Sequence, residues 1–211
     1  NGVGRWIEIT NHPIGGPVFT GAQIQPWLCR TEAQDDPPPF PPGASGVGPN
    51  LGPAVDDKCN APTVVELFYR NLATPPQWVA YDPSNPPAAD LIAQTTTDQG
   101  KTVPFVIQRV TGTANRGIYA IAVLVDPTKP ITPWSTEQPW NRKYVNTFGG
   151  ACSVNYQQPT VGDVRNVARL GLGFAVGTSS LNTYANSCSD VISAEALMMT
   201  KEILTERHGP I

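Results

Sequence analysis

Two β-rich runs, residues 103–110 (VPFVIQRV) and 118–125 (IYAIAVLV), constrain this chain more than any other feature. Both are dense in Val and Ile, whose branched side chains suit a pleated surface. Between them lies TGTANRG, whose Asn115-Arg116-Gly117 suits a turn with φ > 0, so a long antiparallel hairpin is expected. A proline-punctuated loop at 127–141 follows, carrying Trp134 and Trp140. Residues 143–148 (KYVNTF) then read as a strand that runs into Gly149-Gly150. Thr160 and Asp163 stand in the Thr-x-x-Asp form of a helix start, with Val164, Val167 and Ala168 as its apolar stripe up to Gly171. Residues 173–178 (GFAVGT) form a short apolar run bounded by Gly, as a buried parallel strand would. The clearest helix is 190–207, where Ile192, Ala196, Met199 and Ile203 recur at 4-3-4 spacing. Ser189 or Asp190 caps its start and Gly209-Pro210 stops it. Hairpin, strand, helix, strand, helix is an α/β order, with a parallel sheet growing after an antiparallel start.

The first ninety residues are different in kind. Residues 35–53 (DDPPPFPPGASGVGPNLGP) suit neither a helix interior nor a central strand, because proline has no amide donor. Polyproline II with turns is expected there. Residues 64–69 (VVELFY) read as one strand and 5–10 (RWIEIT) as another without an early partner. A closing helix normally delivers the chain into a further parallel strand, so a piece of a larger sheet is expected.

Charge and composition narrow the function classes. With 14 Lys+Arg against 17 Asp+Glu, the formal net charge is −3. Such a balance argues against a nucleic-acid groove or an anionic membrane surface. No run of about 18 apolar residues exists, so no membrane-spanning segment is expected. Four cysteines without a CxxC pair, and only two histidines, support disulfides rather than zinc. Three pairings are open, and Cys29–Cys59 with Cys152–Cys188 is favoured because each closes a loop of moderate length. A secreted or periplasmic location follows, with no metal and no cofactor expected.

Chemistry-bearing residues are sparse. A strand entering Gly149, Gly150 and Ala151 lets backbone N–H groups approach a ligand and point at an anion. His12 precedes a proline, and His208 sits at a helix end where a charge–dipole role suffices. Asp35-Asp36 and Asp56-Asp57 are the only paired carboxylates considered for calcium, and solvated loop carboxylates are the simpler reading. Trp134 and Trp140, with Trp27 and Trp78, are candidates to line a groove for an aromatic or polymeric substrate. Ser179 and Ser180 lie in Gly177-Thr178-Ser179-Ser180-Leu181, whose fifth residue departs from a Gly-x-Ser-x-Gly nucleophile turn. Lining the mouth of a site or capping a turn suits these serines better.

Residues 11–21 (NHPIGGPVFTG), 95–127, 140–152 (WNRKYVNTFGGAC) and 193–204 (SAEALMMTKEIL) resemble a largely uncharacterised family of secreted bacterial proteins. That family is of α/β-hydrolase type and distantly similar to tannases and feruloyl esterases, and the resemblance covers nearly the whole chain. It implies an incomplete α/β-hydrolase-type sheet, an antiparallel hairpin and then parallel strands with helices, preceded by an irregular Pro/Gly-rich segment. Residues 1–20 would be a terminal strand and turn left from a preceding β-domain, 21–94 a disulfide-tied loop region, and 95–211 the first half of the hydrolase domain. Gly149, Gly150 and Ala151 would supply backbone donors to an oxyanion hole, with Ser179, Ser180, Trp134 and Trp140 lining the substrate. In the family the Met-rich helix leads to a strand and a Gly-x-Ser-Gly-Gly turn, with the acid and histidine later still. This sequence contains no Gly-x-Ser-x-Gly. The resemblance therefore implies a proteolytically processed heterodimer, in which a second polypeptide from the same precursor carries the triad and the substrate is a small-molecule or polymeric ester or amide. The alternative is a secreted, disulfide-braced binding or accessory chain without catalysis.

Overall fold

Turn chemistry places the hairpin. In a computed structural model, which describes residues 25–32, 50–150, 152, 156–159, 161–183 and 188–211, strands β5 (Val106–Ala114) and β6 (Gly117–Leu124) pair antiparallel. Asn115 and Arg116 take φ of 50° and 62°, the left-handed pair that a two-residue hairpin turn requires. The first run is split where its proline falls. Thr102–Pro104 forms β4 and pairs with β3 (Gln94–Thr96) in a separate two-stranded sheet. Pro104 ends that strand, since it cannot donate to a ladder. Phe105 then links both sheets: its N–H donates to the Ala93 carbonyl and its carbonyl accepts from Arg70 N–H.

The main sheet has six strands, in the order β2-β1-β5-β6-β8-β7. Strands β1 (Val64–Arg70) and β2 (Trp78–Ala80) come from the Pro-rich half and extend this sheet on one side. Strand β8 (Ala175–Ser179) pairs antiparallel with β6 and parallel with β7 (Tyr144–Asn146). The fold is therefore mixed α/β, mostly antiparallel, with one parallel pair among the described residues. The run at 143–148 supplies only three strand residues, because Thr147 and the glycines beyond turn along the end of β8.

Both faces of β6 are covered, which explains its unbroken apolar sequence. Ile118, Ala120, Ala122 and Leu124 face one core with Ile107, Val164 and Leu170, while Tyr119, Ile121, Val123 and Val125 face another with Val106, Trp140 and Leu204. Leu170 belongs to α1 (Val167–Gly171) and Leu204 to α2 (Asp190–His208), so the sheet lies between two helical layers. Each fully buried Ile or Leu here contributes about 1.5–3 kcal/mol. In α2, Ala196 and Met199 of the expected stripe are buried and Ile192 and Ile203 half-buried, while Ser189 caps the start through Ile192 N–H. Helix α1 is capped by Asn166, whose side chain accepts from Arg169 N–H, so it starts after Asp163 and not at the expected pattern. The Asp163 carboxylate is occupied instead by the amide and guanidinium of Arg165.

Both favoured disulfides form, Cys29–Cys59 and Cys152–Cys188. Among the described residues no helix is long and apolar enough to cross a membrane. Residues 5–10, His12, Asp35, Asp36 and the rest of the expected polyproline II stretch up to residue 49, Ala151 and Thr160 lie outside the described residues.

Candidate functional site at the carboxyl ends of β7 and β8

In sheets with parallel strands, ligands gather beyond the carboxyl ends of those strands. Here that end is built from the turn after β7 and the turn after β8. Thr147 N–H donates to Gly177 O at 2.8 Å, and the Thr178 hydroxyl donates back to Thr147 O at 2.8 Å. Gly149 bridges to Thr183, and its N–H donates to Asn182 O at 3.0 Å. A Cβ on Gly149 would lie 2.6 Å from the Thr183 methyl group, so the close approach of the two turns requires glycine. Gly150 is different: it is exposed, and among the described residues nothing lies within 4 Å of where its Cβ would be.

The turn after β8 is polar yet buried. Ser179 Oγ accepts from Leu181 N–H at 3.2 Å, and Ser180 Oγ accepts from Ile118 N–H at 2.9 Å. Both serines are fully buried and cap backbone, in the geometry of turn formers rather than of an exposed nucleophile. Asn182, with 0% exposure, donates through Nδ2 to Ser193 O at 2.7 Å and to Ser193 Oγ at 3.1 Å. Its Oδ1 accepts from Asn146 Nδ2 at 3.2 Å, and Asn146 Oδ1 accepts from Tyr144 OH at 2.7 Å. Burial pushes the Tyr144 phenol well above its usual range, so it stays a neutral donor. Beside this relay, Asn115 donates to the buried Glu195 carboxylate at 3.1 Å, and Arg116 stacks its guanidinium 4.6 Å from the Trp27 ring. Burial pulls the Arg116 guanidinium down from its ordinary value.

The tryptophans separate. Trp134 is 78% exposed, whereas Trp140 is buried, donating to Lys143 O at 2.9 Å. Trp78 donates to Arg165 O and meets Phe105 edge-on, far from the β7 turn along the sheet order. His208 belongs to the opposite end of the sheet, packed against Trp140 near the start of β7, with Nε2 buried and without a partner among the described residues. Burial, with Arg207 and Arg142 nearby, lowers its pKa to about 4. It is neutral near pH 7, so it carries no charge to offset the helix dipole, contrary to the sequence expectation. Asp56 closes its own loop by accepting from Asn60 Nδ2 and the amides of Lys58 and Asn60, and the Asn60 bonds hold its carboxyl low. No group of three or more metal-ligating side chains occurs among the described residues. An open groove of about 640 Å³, lined by Leu72, Thr95, Phe105, Val167 and Leu172 among others, lies at the end of the sheet away from Gly149-Gly150 and has no carboxylate or imidazole in its lining.

Sequence reading overlooked Asn146, Asn182, Glu195 and Arg116. One signal was present: Glu195 stands three residues after Ile192 and four before Met199, a carboxylate on the apolar side of α2. The tie between the two asparagines carries no local mark, since it spans 36 residues and the Asn182 bond to Ser193 spans 11.

The sheet and its two covering layers define a disulfide-braced α/β protein with a glycine turn at the carboxyl end of its parallel pair. The chain belongs to a tannase-like family of unknown function (DUF6351), whose model matches residues 3–211. No curated protein and no solved structure gives a significant match.

Proposed function

We propose that this chain is one part of a secreted or periplasmic serine hydrolase acting on an ester or amide bond, with nucleophile, acid and base on a second polypeptide of the same precursor. The observation that carries the reading is the Gly149-Gly150 turn at the carboxyl end of β7, in a member of a tannase-like family. The hairpin followed by a parallel pair supports an α/β-hydrolase-type sheet. Two disulfides support an oxidising compartment.

In this mechanism the partner's serine, deprotonated by its histidine, attacks the substrate carbonyl. The carbonyl oxygen gains negative charge and is met by a backbone N–H of the 149–151 turn. The leaving alcohol or amine takes the proton from the histidine, and water then releases the acyl group by the reverse order of steps. One such donor contributes about 3 kcal/mol to the transition state. The turn is suited to this task because its neighbours are fixed by the Gly149–Asn182 bond on one side and the Cys152–Cys188 disulfide on the other.

Denaturing mass spectrometry of natively purified protein, with and without reductant, tests the two-polypeptide arrangement. A second polypeptide bearing a Gly-x-Ser turn is expected. A folded species near 22.6 kDa that is alone and inert would instead favour a non-catalytic binding chain presenting the exposed Trp134.

A further inference from the structure

We propose that Asn182 is a positioning residue that withholds the Gly149 amide from the oxyanion and leaves the task to the Gly150 amide. The inference deepens the hydrolase reading and rests on it. An amide already bonded inside the fold has no N–H left for an oxyanion, so the donor must be an amide the fold leaves open. The Gly149 N–H is committed to Asn182 O at 3.0 Å. Among the described residues the Gly150 amide has no such partner, and the space around its α-carbon is open.

Asn182 can hold this choice because every part of it is fixed. Its main-chain oxygen takes Gly149, its Nδ2 takes Ser193 O and Oγ on α2, and its Oδ1 takes Asn146 Nδ2 on β7. The side chain thereby ties strand, turn and helix at one fully buried point. Two residues beyond Gly150, the Cys152–Cys188 disulfide anchors the turn next to Ser189, the cap of α2. Gly150 thus lies between two anchors that both refer to the first turns of α2. Donors aimed in advance are the ones that stabilise developing charge, since they need no reorganisation during the reaction.

The test uses the native protein with all its polypeptides, a serine-directed fluorophosphonate as probe, and amide hydrogen exchange resolved at Gly149 and Gly150. In the wild type, Gly149 is expected to exchange at least about tenfold more slowly than Gly150. In Asn182→Ala the contrast disappears, and the maximal labelling rate falls about a hundredfold while the half-saturating probe concentration stays unchanged. Ser193→Ala, which keeps the Ser193 O contact, gives a smaller loss in the same direction. If Asn182→Ala loses exchange protection throughout the sheet, Asn146→Ala replaces it, because Asn146 is only half-buried, and the same paired changes are expected. Unchanged labelling in a variant whose Gly149 has become exposed to exchange overturns the positioning role and leaves the hydrolase reading standing. A slowly exchanging Gly150 in the wild type overturns the donor assignment. A wild-type protein that takes no probe overturns the hydrolase reading, and the assignment with it.

Discussion

His208 makes the chain sensitive to mild acid, in an amount that follows from its surroundings. His208 is 5% exposed, its ring centroid lies 6.2 Å from that of Trp140, and its Nε2 has no partner among the described residues. Burial, assisted by Arg207 and Arg142, lowers its pKa from 6.5 to about 4. The unfolded chain therefore binds this proton more readily than the folded one, and stability must fall as pH falls from 6.5 toward 4. The stabilisation is fully present above pH 6.5 and is lost progressively through that window, levelling off below about pH 4. The whole difference corresponds to about 3 kcal/mol, of which about 2 kcal/mol is gone by pH 5. His208→Phe keeps a ring against Trp140 and removes the titration. Urea unfolding with disulfides intact, repeated from pH 7.5 to 4.5, gives the stability of both proteins. The wild type is expected to lose about 2 kcal/mol more than the variant between pH 7 and pH 5. A difference that stays flat over this range would refute this reasoning, because His208 would then take up its proton as easily in the folded chain as in the unfolded one.

The two tryptophans of the 127–141 loop should respond in opposite ways: Trp134→Ala changes stability by no more than about 0.5 kcal/mol, whereas Trp140→Ala costs about 3–5 kcal/mol, as measured by urea unfolding. At Gly177, an added Cβ would run into the Tyr144 hydroxyl and ring. Gly177→Ala is therefore expected to cost about 1–3 kcal/mol by thermal unfolding. Tyr144→Phe alone should cost about 1 kcal/mol by removing the donor to Asn146, yet recover part of the loss in the Gly177→Ala background.

Local chemistry was legible in this sequence, and long-range burial was not. The turn at 115–117 is legible because Asn and Gly mark turns, although Arg116 takes φ of 62° without an intrinsic preference for it, and Ser189 announces α2 because a cap acts within three residues. The strands β2 and β3 carry no mark because three-residue segments in Pro-punctuated sequence have too little periodicity to register, and β4 merges in the sequence with the run that becomes β5. The start of α1 departs from the Thr160-x-x-Asp163 pattern because Asp163 accepts from the Arg165 amide and guanidinium, leaving Asn166 to cap the helix. At the candidate site, the Gly149-Gly150 turn was visible as a glycine pair after a strand. The residues that aim it were not, because Asn182 becomes a buried tie only when α2 folds back over the end of β8. The same holds for His208, whose neutrality comes from Trp140 and Arg142, some 66 residues earlier in the chain.

The central claim is that a serine outside residues 1–211 reacts at a site to which the Gly150 turn contributes. Fluorophosphonate labelling of the native protein, followed by peptide mapping of the adduct, tests it most directly. A single adduct is expected, on the serine of a Gly-x-Ser turn that lies outside residues 1–211. An adduct on Ser179 or Ser180, or a native protein that takes no label, would contradict it.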